Sequence, residues 1–167
     1  LAAAIQARFG RQVYVNPNAV TRHDVALSEP IFSARRANKD RGAVTIGYFS
    51  GWPKAHEPDL AVAAPALARV LAERPEVRLR IVGYFDAQLL PEDLRQRVEL
   101  VPFVPWEQLF TQLGAIDINL APLIDNPHRR AKSAVKYLEA ALVGTPTVAT
   151  DLEPYRAIEH GRTGYLA

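Results

Sequence analysis

From Ala43 onward the chain is organised by five short apolar runs: AVTIGYF (43–49), VRLRIVG (77–83), VELV (98–101), AIDINLA (115–121) and PTVAT (146–150). Each is rich in Val, Ile and Leu, the composition of strands buried on both faces. Helical stretches separate them. The clearest runs from Asp59 to Arg74, with Leu60, Leu67, Val70 and Leu71 on one stripe, and stops before Pro75. Pro65 inside it predicts a kink or a break into two shorter helices. A second helix is expected from Ala131 to Val143, closed by Gly144-Thr145-Pro146. Shorter helical pieces are expected at 91–97, 106–113 and 153–159.

This alternation points to an α/β fold: a doubly wound, Rossmann-like parallel sheet with helices on both faces and right-handed crossovers. Such sheets bind ligands beyond the carboxyl ends of the strands, where strand order reverses. With the common order 3-2-1-4-5, the reversal falls between the strands at 43–49 and 115–121. The loops leaving those strands, Ser50 to Pro58 and Pro122 to Arg130, are where function is to be sought.

Ahead of this region, LAAAIQARFG (1–10) reads as the end of a helix stopped by Gly10. VYV (13–15) is an apolar run closed by the turn formers Asn16-Pro17-Asn18. A mixed segment follows, ending in a polar linker around 35–42.

The chain's 167 residues hold one domain, or one domain and a fragment of another. Its first residue is Leu and it contains no Met, so it is expected to be a piece of something longer. No Cys is present, which excludes disulfides, thiolate metal sites and a Cys nucleophile. The net charge is +2, yet Arg35, Arg36, Lys39 and Arg41 stand against Asp40 alone in ARRANKDRG. The basic character is therefore local, read as a solvated linker and not as a nucleic-acid-binding face. The longest nearly uncharged run, Leu60 to Ala68, is too short to cross a bilayer, and no signal-peptide pattern is visible. The expected compartment is the cytoplasm.

GxxxxGK, complete GxGxxG, HExxH and GxSxG motifs are all missing. His23, His56, His128 and His160 show no helical pairing, so no metal site is expected. In the loop YFSGWPKAHEPD (48–59), Ser50 and Gly51 permit close backbone approach, while Lys54 and His56 are candidate phosphate contacts. The same loop also fits an ordinary strand-to-helix connection, with Glu57 and Asp59 favouring a helix N-terminus.

The most informative segment is AKSAVKYLEAALVGTPTVAT (131–150). On the expected helix, Lys132, Lys136 and Glu139 share one stripe, with Ser133 near the start, where free N–H groups favour anions. Such a stripe could bridge a diphosphate and a ribose, or it could be a surface salt-bridge ladder. Two features weigh against the ladder. Lys preceding Glu is the poorer orientation, and cations near a helix N-terminus oppose its dipole. The apolar flank LEAALVG also places Glu139 near the core, where a carboxylate needs a partner.

The run Glu139 to Thr150 resembles the helix–turn–strand signature of retaining GT-B glycosyltransferases of the group 1, or family four, type. Val15 to Val20 is similar to the hinge into their C-terminal domain, Ile46 to Phe49 to its first strand and Arg80 to Gly83 to its second. Phe103-Val104-Pro105 matches the place of the base-contacting loop, and His160 to Leu166 the following turn and strand. The resemblance implies the C-terminal half of a GT-B fold. Residues 1–20 would be hinge and the end of an N-terminal domain, 21–42 a connecting segment, and 43–167 a donor-binding domain truncated at its C-terminus.

By position, Glu139 matches the family's ribose-binding Glu, while the Glu expected eight residues earlier falls on Ala131, a departure. Lys132, Ser133 and Lys136 stand nearby, as in a subgroup that looks like bacterial polysaccharide and O-antigen transferases. Lys54 occupies roughly the place of the family's phosphate-binding Lys, and the backbone at Phe103 and Val104 would contact the base. The resemblance thus implies a UDP- or GDP-linked sugar donor, no cofactor, and transfer of a hexose-type sugar with retention. The acceptor, a glycan or lipid-linked glycan, would be held by an N-terminal domain, and any membrane association at the inner face would also come from outside this chain. Lys132 and Lys136 would stabilise charge on the departing diphosphate. His128, Arg129 and Arg130, in the loop at the reversal point, are candidates to approach the sugar, with a solvated pair as the alternative for Arg129 and Arg130. A nucleotide-sugar epimerase and a non-catalytic sugar-nucleotide-binding or assembly module are the alternatives.

Overall fold

The computed structural model describes residues 2–38, 42–86, 88 and 90–167, and for residues 53–56 the backbone alone. Lys39, Asp40 and Arg41 of the expected linker lie outside the described residues. Six parallel strands form one sheet: β1 (Val44–Ser50), β2 (Val77–Gly83), β3 (Val98–Val101), β4 (Ile118–Ala121), β5 (Thr147–Ala149) and β6 (Gly164–Leu166). Their order is β3-β2-β1-β4-β5-β6, so strand order reverses between β1 and β4, where the common order placed it. β6 is the strand that the resemblance placed after residue 160.

α3 (Pro53–Glu73) covers one face of the sheet. Leu60, Ala64, Leu67 and Leu71 recur at helical spacing, are buried, and face Ile46, Tyr48, Leu79 and Ile81. The helix runs unbroken through Pro58 and Pro65, where the sequence predicted a kink or break. Both prolines are exposed. On that side water can satisfy the carbonyls whose intrahelical partner is missing.

α2 (Arg22–Ala37), α4 (Trp106–Gly114) and α6 (Val135–Leu142) cover the opposite face. Their core is Phe110, Leu113, Ile116, Ala140 and Val143, with Leu27 and Ile31 of α2 packed against it. α2 replaces most of what the sequence suggested was a mixed segment and linker. Its start is a capping box: Thr21 Oγ1 accepts from the Asp24 N–H at 3.1 Å, and Asp24 Oδ2 accepts from the Thr21 N–H at 2.6 Å. Arg35 is likewise no solvated linker residue, for its Nη1 donates to the carbonyls of Gly114 (3.1 Å) and Ile116 at the end of α4. The chain opens with α1 (Ala2–Phe9), and residues 10–21, VYV included, follow without regular structure.

A shorter α5 (Pro127–Arg130) precedes α6. The helix expected from Ala131 begins only at Val135, leaving Lys132 and Ser133 in the connection before it. No helix among the described residues is long and apolar enough to cross a membrane.

The end of β1 depends on one glycine. Gly83 has φ +100°, and a Cβ there would lie 2.0 Å from the Ser50 carbonyl oxygen, which accepts from the Tyr84 N–H at 3.1 Å. Gly83→Ala should lower the unfolding free energy by about 3 kcal/mol or more, through clash and strain together. Gly161, also at positive φ but with nothing within 4 Å of its Cβ position, should lose only about 1 kcal/mol as Gly161→Ala. Urea unfolding of both variants checks the difference.

Candidate functional site

The carboxyl ends of β1 and β2 open on a cleft of about 260 Å³. Its lining includes Ser50, Gly51, Phe103, Val104, Lys136 and Glu139, six residues that the sequence singled out and that come from three separate segments. Val82, Trp106 and Leu109 supply apolar wall. A second cavity of about 260 Å³ adjoins it, sharing Trp106, Val135 and Glu139 and walled by residues 18–21 and Asp24.

Ser50 is the last residue of β1 and buried, and its Oγ is the one buried side-chain polar atom without a hydrogen-bond partner among the described residues. An orphaned hydroxyl at the mouth of a strand is ready to donate to a ligand oxygen. Phe103 projects into solvent and stacks on Tyr84, with ring centroids 6.3 Å apart and planes 26° from parallel. No side chain caps α6.

Lys136 lies in the first turn of α6, its Nζ 4.5 Å from the centre of the buried Tyr48 ring. The backbone there is pinned by buried Asn119 of β4, whose Nδ2 donates to the Lys136 carbonyl (3.2 Å) and to Thr147 Oγ1 (3.0 Å). Burial, then the neighbouring Lys132 charge, pushes the Lys136 amine down to about 8. Glu139, one turn on, is pushed up to about 7 by burial and by the Asp24 carboxylate, with Lys136 pulling the other way. The two groups make no ion pair with each other within 4.0 Å.

Lys132 and Ser133 do not line the cleft. Lys132 Nζ sits 3.4 Å from Asp59 Oδ2, and Ser133 Oγ accepts from Asn18 Nδ2 at 2.9 Å. The side chain of Lys54 lies outside the described residues, as does that of His56. Arg129 and Arg130, expected either near the sugar or in solvent, divide. Arg129 is buried and donates from Nε to Asp59 Oδ1 at 2.9 Å, while His128 Nδ1 stands 3.0 Å from its Nη1. Arg130 lies on the surface between Asp125 and Glu153.

Sequence reasoning missed Asn119 and the role of Asp59. An Asn inside the apolar run INLA was a signal for the first. For Asp59, the signal was an acid in helical phase with Ala63 and Val70, on the edge of the apolar stripe. Among the described residues no group of His, Asp and Glu side chains gathers as a metal ion would require.

The two shifts in the cleft make stability depend on pH with opposite signs. Between about pH 4.5 and 7 folded Glu139 keeps a proton that the unfolded chain releases, so stability falls as pH rises. Between about pH 8 and 10.5 the unfolded chain holds the extra proton on Lys136, so stability rises with pH. Glu139→Gln should remove the fall and Lys136→Met the rise, each about 1–3 kcal/mol across its window. Urea unfolding as a function of pH measures both.

The family model for glycosyl transferases group 1 matches residues 43–167. Among solved structures, HepE of Anabaena in complex with UDP and glucose is 21% identical, covers 99% of this chain and 46% of that one, and has a TM-score of 0.59. A variant of S. aureus TarM in complex with fondaparinux, α-GlcNAc-glycerol and UDP is 16% identical, covers 99% of this chain and 31% of that one, at 0.60. The pneumococcal O-GlcNAc transferase GtfA in complex with UDP and GlcNAc is 22% identical, covers 78% of this chain and 26% of that one, at 0.55. At these identities the likeness shows the fold, and the chain spans less than half the length of each structure. A search of curated proteins finds no match. Because the family match runs from the start of β1 to the last residue, taking in every strand and the whole lining of the cleft except its rim at residues 18–24, the chain belongs to the group 1 glycosyl transferases.

Proposed function

We propose that the cleft binds the nucleotide diphosphate of a sugar donor, a UDP-linked hexose-type sugar, for transfer to a glycan acceptor with retention of configuration. One observation carries the reading: an orphaned buried hydroxyl, a cation and a carboxylate share one apolar cleft at the ends of the parallel strands. Ser50 Oγ and Lys136 Nζ supply a donor and a positive charge for the phosphates. Glu139 stands about 4.5 Å further along the α6 axis, three residues at helical rise, and accepts from the ribose hydroxyls. Phe103 and Val104 form the wall for the base, and Gly51 leaves room for backbone approach.

Chemically, the anomeric carbon loses its bond to the phosphate oxygen and gains one to the acceptor oxygen, whose proton leaves with the diphosphate. This domain's part is to stabilise the charge left on the diphosphate. Lys136 suits that task because a desolvated cation acts strongly on a nearby anion. An arriving phosphate also relieves the burial penalty on its ammonium. Lys132, paired with Asp59, adds its charge from behind it. UDP accompanies glucose or GlcNAc in similar structures, which supports the choice of donor. The acceptor site and the completed active centre belong to a larger protein, so this chain alone binds donor without turnover.

Calorimetric titration with UDP, GDP, dTDP and ADP tests the reading. Saturable binding of UDP is expected, weakened about tenfold or more in Glu139→Ala. A chain that binds none of the four would contradict the proposed function.

A further inference from the structure

Asp59 is a buried carboxylate with three partners among the described residues. It is 1% exposed, sits near the start of α3 and does not itself line the cleft. Oδ1 accepts from Arg129 Nε at 2.9 Å and from the Ile124 N–H at 3.1 Å, and Oδ2 faces Lys132 Nζ at 3.4 Å. One carboxylate therefore joins three segments that are far apart in sequence: the helix after β1, the loop after β4 and the connection into α6. Burial opposes its ionisation, yet the bonds from Arg129 and Ile124 and the Lys132 charge hold its carboxyl below the usual range.

The cluster borders the cleft. Tyr48, whose ring lies under Lys136 Nζ, is close enough to Asp59 and Arg129 for both charges to act on its hydroxyl. Lys132 is near enough to Lys136 to disfavour its proton. Cations thus accumulate around one buried carboxylate, and among the described residues no acid lies within 4.0 Å of the Lys136 amine. Positive charge gathered in this way next to an orphaned hydroxyl awaits an anion.

We propose that Asp59 is a positioning residue of the donor-phosphate site: it touches no donor, but holds Arg129 and Lys132 so that their charge is presented behind Lys136. This inference rests on the function proposed above. Without Asp59 the two cations repel, the start of α6 loses its tie to α3, and positive charge is no longer aimed at the phosphates. The base and ribose contacts, which lie at Phe103, Val104 and Glu139, stay in place.

The test compares UDP with uridine, which lacks the phosphates, on the whole chain and on Asp59→Asn, a near-isosteric change that removes the charge and one acceptor oxygen. UDP affinity is expected to fall at least about tenfold, with uridine affinity changed less than about twofold and Asp59→Glu recovering part of the loss. Equal losses for UDP and uridine would show a merely structural role and overturn the proposal, as would unchanged UDP affinity. A second measurement needs no variant. In the wild-type chain the Arg129 Nε–H resonance should shift on saturation with UDP and not with uridine, and its failure to do so would also overturn the proposal. If the wild-type chain binds neither ligand, the functional reading itself falls, and the role of Asp59 with it; that result is distinct from a wild-type chain that binds UDP while Asp59→Asn binds it equally well.

Discussion

The parallel pairing of β1 on both of its edges is the constraint from which the site follows. β1 takes β2 on one side and β4 on the other, so the chain leaves its carboxyl end toward one face while the neighbouring crossovers leave toward the other. A crevice opens where they part, and no side chain of the sheet can fill it. Ser50 is carried to its edge by seven residues of register with β2, and Gly83 lets the two strand ends close without collision. α6 is then laid across the opening by Asn119, which ties the Lys136 carbonyl to β4 and β5. The functional side chains are placed by backbone pairing and one buried amide, not by contacts among themselves.

Electrostatically the cleft is unfinished. A half-buried amine over an aromatic face, a carboxylate held partly protonated by burial and a second acid, and a hydroxyl without a partner are each unfavourable in isolation. Their proximity makes the expense useful: a ligand with a phosphate and a hydroxylated ring would meet all three needs at once. Arg129 and Asp59, by contrast, are satisfied by each other, and the surface pairs of Arg130 with Asp125 and Glu153 are exposed and screened. The division separates charges that can meet a ligand directly from charges that are already paired and act on the cleft only from behind it.

Much of this was legible in the amino-acid order. Strands buried on both faces announce themselves as apolar runs, and β2 and β3 begin and end where those runs do. The reversal point follows from alternation and handedness once the common strand order is assumed. What escaped was set by distant partners. α6 starts at Val135 and not at Ala131, and the residues before it bond across the fold, Ser133 to Asn18 and Lys132 to Asp59. Helical spacing carries no trace of such contacts. α3 passes through two prolines because both face water, and burial of that face is a tertiary fact. α2 was the opposite case: Thr21 and Asp24 spell a capping box that local reasoning could have found.

The most direct test of the account is a crystal structure of the chain with UDP bound. The account predicts a phosphate oxygen within hydrogen-bond distance of Ser50 Oγ and Lys136 Nζ, and ribose hydroxyls on the Glu139 carboxylate. A nucleotide seated elsewhere, or one that leaves the Ser50 hydroxyl still without a partner, would contradict it.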